Sequence, residues 1–183
     1  MKTIIGLGNP GKEYENTRHN AGRMAVGFLA QKNDLPEFVF DKKSNSLISK
    51  NKKVLLALPE TFMNKSGFSA GKLYKTKKEN KDLVVIHDDL DLPLGKIKIS
   101  YGKNSGGHKG VESIMRALKT KNFYRIRIGV ISSKNKPADI LKFIIGKFKP
   151  VEEKEFKKVL KKTTEALEVF VNDSPERAMS EFN

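Results

Sequence analysis

Three histidines stand in this chain: His19 in the polar stretch Asn16-Thr17-Arg18-His19-Asn20, His87 just ahead of Asp88 and Asp89, and His108 after Gly106-Gly107. Histidine is the side chain best suited to take a proton from water near neutral pH, a service worth about 10²- to 10⁴-fold in rate. For that work one ring nitrogen is held by a carboxylate while the other keeps its lone pair. Asp88 follows the apolar run Leu83-Val84-Val85-Ile86. It therefore falls at the carboxyl end of a buried strand, where ligand crevices form in open α/β sheets. Two chemistries stay open there: Asp88 orients a histidine base, or Asp88, Asp89 and Asp91 hold Mg²⁺ with substrate phosphates. The histidines lack HExxH or any close pairing in sequence, which argues against zinc.

Covalent catalysis has less to work with. The chain has no cysteine, no G-x-S-x-G elbow is present, and Ser66 lacks that context. A hydrolase built from these residues activates water. The carboxamides of Asn9 and Asn64 would position that water and a scissile carbonyl. Each also has a plainer reading, Asn9-Pro10-Gly11 as a turn and Asn64 as a helix cap.

The elements that must carry these residues can be read from the apolar pattern. Residues Gly6 to Gly11 spell G-x-G-x-x-G, but a dinucleotide loop needs a helix starting at the loop itself. Lys12 to His19 offers only Tyr14 as a large apolar residue, and the first helical periodicity is Ala21, Met24, Ala25, Phe28 and Leu29, with Asn20 as N-cap. The glycines thus serve another purpose. Val54–Leu58 and Leu83–Ile86 are continuous apolar runs, expected as strands buried on both faces. Lys96–Tyr101 alternates. So does Phe123–Val130, with Arg125 and Arg127 in its exposed phase. Val111, Ile114, Met115 and Leu118 mark a helix after Gly106-Gly107, and Phe156 to Phe170 a last amphipathic helix. The expected fold is α/β: a single domain over residues 1–183, a mixed twisted sheet flanked by helices.

No apolar stretch is long enough for a membrane span, and the start of the chain lacks a signal-peptide pattern. The formal charge of +15 points to a polyanionic partner, RNA or DNA first. Lysine supplies most of that charge, which leaves a merely solvated surface as the plainer, less favoured reading.

Taken jointly, "GLGNPGKEYENTRHNAG", "LPETFMNKSG", "VVIHDDLDLPLG" and "GGHKGVESI", followed by "FYRIRIGV", resemble bacterial peptidyl-tRNA hydrolases. The segments occur in the family's order, and the similarity weakens only after about Pro150. The resemblance implies hydrolysis of the ester joining a peptide to the 3′-terminal ribose of tRNA. It implies a cytoplasmic monomer acting on the acceptor end of peptidyl-tRNA, with no membrane, no obligate protein partner, no metal and no organic cofactor. By position, His19 matches the catalytic base, Asp88 its supporting carboxylate, and Asn9 the residue that helps distinguish N-blocked from free aminoacyl-tRNA. Tyr14, Phe62 and Asn64 match positions lining the acceptor-end site. Arg127 resembles the arginine that contacts the tRNA 5′-phosphate. The glycines after the first strand then serve a tight turn presenting Asn9.

Two departures stand out. Lys109 occupies a substrate-site position where the family usually has Asn, exchanging an amide for a pure donor that carries charge. The lysine that partners the arginine in some relatives is Ser100 here, with Lys98 and Lys103 close by. Two other classes compete: a non-catalytic RNA-binding module, which intact His19, Asp88, Asn9 and Asn64 argue against, and a nucleotide-dependent oxidoreductase, which the missing helix after Gly11 argues against.

Overall fold

The continuous apolar runs become the middle of a sheet because only there are both faces of a strand covered. In the computed structural model, which describes residues 1–76, 80–132 and 136–183, β1 (Lys2–Gly6) lies between β4 (Val54–Pro59) and β5 (Asn80–Pro93), parallel to both. β7 (Phe123–Ile131) pairs parallel to β5, and β6 (Ile97–Tyr101) closes that edge antiparallel to β7. The other edge is an antiparallel meander of β4, β3 (Ser46–Lys50) and β2 (Val39–Asp41). The order is β2-β3-β4-β1-β5-β7-β6. This is the mixed α/β sheet expected from the sequence.

Alternation along each strand feeds two cores. Ile4, Val84, Ile86 and Ile126 face α1 (Ala21–Lys32), α5 (Pro150–Asn172) and α6 (Pro175–Phe182). Ile5, Leu83, Val85 and Phe123 face α2 (Ser66–Leu73) and α3 (Lys109–Leu118). Each fully buried Ile or Phe contributes about 1.5–3 kcal/mol of apolar transfer, which sets the register firmly. One close approach then matters for chemistry. Gly22, in the first turn of α1, lies so near β5 that an added Cβ would stand 2.1 Å from the Ile86 carbonyl oxygen. Only glycine lets the start of α1 touch the strand that carries Asp88.

The structure corrects several expectations. β5 does not stop at Ile86 but runs to Pro93, because β7 keeps pairing after β1 has ended. β7 is not half exposed, and Arg125 is among its buried residues. Its guanidinium donates to the Asn104 carbonyl at 2.8 Å, so the chain after β6 covers that face. Asn20 occupies the N-cap position of α1, yet its side chain does not cap. Strands β2 and β3, helix α4 (Ile140–Ile145) and α6 carry no clear periodic signal in the sequence. Among the described residues no helix is long and apolar enough to cross a membrane.

Candidate active site

The last residue pair between β1 and β5 is Gly6 with Ile86. Beyond it β5 continues with a neighbour on one side only, and the chain from Leu7 to Asn20 crosses the vacated side. Leu7 N–H still donates to the Ile86 carbonyl at 2.9 Å. The chain ends in a short 3-10 turn, Arg18–Asn20, directly ahead of α1. That path brings His19 over Asp88. His19 Nδ1 lies 2.9 Å from Asp88 Oδ1 and 3.0 Å from Oδ2.

A second histidine arrives from the other side. His108 is the N-cap of α3, and its Nε2 lies 2.8 Å from Asp88 Oδ1. The sequence alone assigns this residue no role. The available signal is its place before a helix and after two glycines, which aims a side chain back over the helix start.

Hydrogen-bond partners fix all three tautomers, since a backbone N–H only donates and a carbonyl only accepts. Val111 N–H donates to His108 Nδ1 at 3.3 Å, so His108 carries its proton on Nε2 and gives it to Asp88. His87 Nδ1 donates to the Asp88 carbonyl at 2.6 Å. Its Nε2 is buried without a partner among the described residues, and its ring centroid is 4.6 Å from that of His108. Asp88, an ionised acceptor, takes the Nδ1 proton of His19. The His19 Nε2 lone pair is left without a hydrogen-bond partner among the described residues.

Electrostatics support these states. Burial alone would raise the Asp88 carboxyl, but charge and hydrogen bonds from His19 and His108 hold it well below the usual carboxylate range. Desolvation pushes buried His87 far below the ordinary imidazole value, so it stays neutral. The donor atoms of His19, Asp88 and His108 lie within 4.8 Å of one another and form a conceivable metal-ligand set. A cation there would have to displace the protons that both imidazoles already give to Asp88. Distance in sequence argues against any histidine cluster, and packing overrides it. The Mg²⁺ reading of the aspartates fares worse. Asp89 pairs with Arg127 at 2.6 Å and Asp91 with Lys136, so the three carboxylates take different partners.

Asn9 is held at both ends of its backbone unit. Asn20 Oδ1 accepts from Asn9 N–H at 2.8 Å, and Asn20 Nδ2 donates to the Asn9 carbonyl at 2.9 Å. Gly8 leaves room for that grip, since a Cβ there would stand 2.9 Å from the Asn20 amide. Met63 N–H donates to Asn9 Oδ1 at 2.8 Å. The Asn9 amide nitrogen is therefore the end left to meet a ligand, and it can only donate.

The remaining expected residues fall into three groups. Tyr14 and Phe62 meet edge to face with centroids 6.4 Å apart, and Phe62 is exposed. Asn64 sits exposed on the 3-10 turn Met63–Lys65 and caps no helix. Lys109 is the exposed first residue of α3 and makes no hydrogen bond or ion pair among the described residues. Arg127 spends Nε on Asp89 Oδ2 at 2.6 Å, leaving its outer nitrogens available. The strand register pairs Lys98 with Arg127, and pairs Ser100 with buried Arg125. The cation paired with Arg127 across the strands is thus Lys98.

A family model described as Peptidyl-tRNA hydrolase matches residues 3–183 of this chain. The peptidyl-tRNA hydrolase of Thermodesulfovibrio yellowstonii is 40% identical over 190 residues, with 100% of this chain and 99% of that protein covered. That of Aquifex aeolicus is 41% identical over 187 residues, covering 100% and 96%. The crystal structure of peptidyl-tRNA hydrolase from Acinetobacter baumannii is similar with a TM-score of 0.88 at 32% identity, covering 100% of this chain and 94% of that one.

Proposed function

This chain belongs to the peptidyl-tRNA hydrolase family, and from that premise we propose that it hydrolyses the ester between peptide and tRNA with His19 as general base. The observation that carries the reading is the Nδ1 contact of His19 with buried, ionised Asp88, which leaves Nε2 as the proton acceptor. Nε2 takes a proton from water as the water oxygen bonds to the ester carbonyl carbon. The imidazolium so formed is stabilised by Asp88, which itself stays ionised. The bond from that carbon to the ribose oxygen then breaks, and Nε2 returns the proton to the leaving oxygen. The products are a peptide acid and a tRNA with its terminal hydroxyl restored.

His108 holds Asp88 in place, and His87 packs behind His108 in neutral form. The first N–H groups of α3, at Lys109 and Gly110, have no intrahelical acceptor and would face the oxyanion. The Asn9 amide donor suits a carbonyl of the peptide. A free aminoacyl-tRNA offers an ammonium there, a donor against a donor, so N-blocked substrates are favoured. Tyr14, Phe62 and Asn64 would border the terminal nucleotide, as the family resemblance implies, while Lys98 and Arg127 would take phosphate. The family resemblance further implies a monomer that works in the cytoplasm without protein partner or cofactor.

The test compares release of labelled N-acetyl-amino acid from N-acetyl-aminoacyl-tRNA with release from the free aminoacyl-tRNA, chelator present. The expected result is rapid turnover of the blocked substrate alone. Equal rates on both, or abolition by chelator, would contradict the reading.

A further inference from the structure

The residue before His19 is an arginine that takes no part in the hydrolytic chemistry. Arg18 is 5% exposed, and a buried guanidinium is costly unless its charge and donors are met. Nη2 donates to Glu152 Oε2 at 2.6 Å. Nη1 donates to the Phe143 carbonyl at 3.3 Å. The guanidinium also lies over the rings of Phe143 and Phe148, 4.3 and 5.5 Å from their centroids. The backbone follows the same partners. Arg18 N–H donates to the Gly146 carbonyl at 3.0 Å, and Phe148 N–H donates to the Asn16 carbonyl at 3.3 Å.

All of these contacts reach one segment, residues 143–152, from α4 to the start of α5. Glu152 is anchored in turn, accepting from Lys149 N–H at 2.7 Å and from the Ser132 hydroxyl. The turn that carries His19 needs such an anchor. A three-residue 3-10 turn is weak alone, and Thr17 makes no side-chain cap to it. α4 buries none of its own residues completely: Phe143 packs partly buried against the core, and its carbonyl is held by Arg18. Gly146 leaves room for this contact, since a Cβ there would stand 3.1 Å from both Arg18 Nη1 and the Phe143 carbonyl oxygen that accepts from it.

We propose that Arg18 is a positioning residue: it fixes the backbone of the His19 turn against residues 143–152, while Asp88 fixes the ring. The direction of His19 Nε2 then depends on a segment that never meets the reacting atoms. The inference rests on His19 being the base.

Arg18→Lys keeps the charge but loses the flat two-nitrogen grip. A misplacement of about 1 Å costs roughly 10²-fold in rate, so kcat per folded molecule should fall about 10- to 100-fold. KM should stay within about twofold, because buried Arg18 offers substrate no uniform binding to lose. Gly146→Ala displaces the guanidinium from the far side by a few tenths of an ångström and should cost about 2- to 5-fold in kcat. This second variant decides the matter if Arg18→Lys does not fold. The readout independent of turnover is the His19 Nδ1–H resonance, which should shift or broaden in both variants while the fold is kept. A lower melting temperature with kcat and that resonance unchanged overturns the proposal, as does a raised KM at constant kcat. A failure of the catalytic reading itself looks different, as His19→Ala retaining turnover.

Discussion

Asp88→Asn should do more than remove a charge, because His108 decides which way the new amide turns. His108 has its Nδ1 occupied by Val111 N–H and must donate from Nε2 to residue 88, where it now sits 2.8 Å from Oδ1. An asparagine has one oxygen, and His108 holds it; His19 Nδ1 lies 2.9 Å from that position but also 3.0 Å from the other, now an NH₂ that meets its proton donor against donor. The amide NH₂ is then turned toward His19 Nδ1, which has to accept. His19 adopts the tautomer with its proton on Nε2, and the base is blocked. In a serine hydrolase the same substitution costs about 10⁴-fold through the wrong tautomer. Here kcat should fall roughly 10³- to 10⁴-fold, about 4–5.5 kcal/mol of transition-state stabilisation. His108→Asn removes the competing demand, since the shorter side chain still caps α3 but does not reach residue 88. In the double variant the amide is free to turn its oxygen toward His19. Activity should therefore recover by at least about tenfold over Asp88→Asn alone, a non-additive gain expected only for groups acting as a unit. Single-turnover peptide release under saturating enzyme measures it. A double variant as slow as Asp88→Asn, or slower, refutes the tautomer argument.

Buried His87 is held neutral by desolvation, so the unfolded chain binds more protons below about pH 6.5 and stability should fall there by about 1.4 kcal/mol per pH unit. Urea titrations of His87→Asn should show that acid slope flattened, whereas an unchanged slope means another group titrates. Affinity for tRNA should fall steeply with salt, and Arg127→Ala should make the slope shallower by about one unit for each phosphate left unneutralised. Because Arg127 also neutralises Asp89, the same effect must persist when Asp89→Asn is added, or it belongs to the freed carboxylate. Lys109 is exposed at the head of α3, so Lys109→Asn should raise KM and weaken its salt dependence without moving the acidic limb of the pH–rate profile. A shift of that limb would instead place the ammonium within reach of His19.

What is legible in the sequence is whatever a strand or turn announces locally. The apolar run before Asp88 places it, and a glycine-rich turn places Asn9. The helix at Ala21 is marked by its own periodicity. His108 is not legible, because its partner is 20 residues away and is met only once α3 packs on the sheet. Arg18 is hidden for the same reason, with Glu152 134 residues distant. The Lys98–Arg127 pairing depends on strand register, which composition does not supply. Arg125 is misread as exposed because a charged residue in an alternating strand looks solvent-facing. Its bond to the Asn104 carbonyl makes its burial tolerable. Asn20 looks like a cap by position, yet its amide is taken by Asn9.

The central claim is that His19 Nε2 removes the proton from water. The most direct measurement is turnover of N-acetyl-aminoacyl-tRNA by His19→Ala beside the unaltered protein, with binding of uncharged tRNA followed on the same samples. The account predicts a fall in kcat of at least about 10²-fold, the lower bound for losing a general base, with tRNA affinity little changed. Near-normal turnover by a correctly folded His19→Ala would place the base elsewhere and contradict the account.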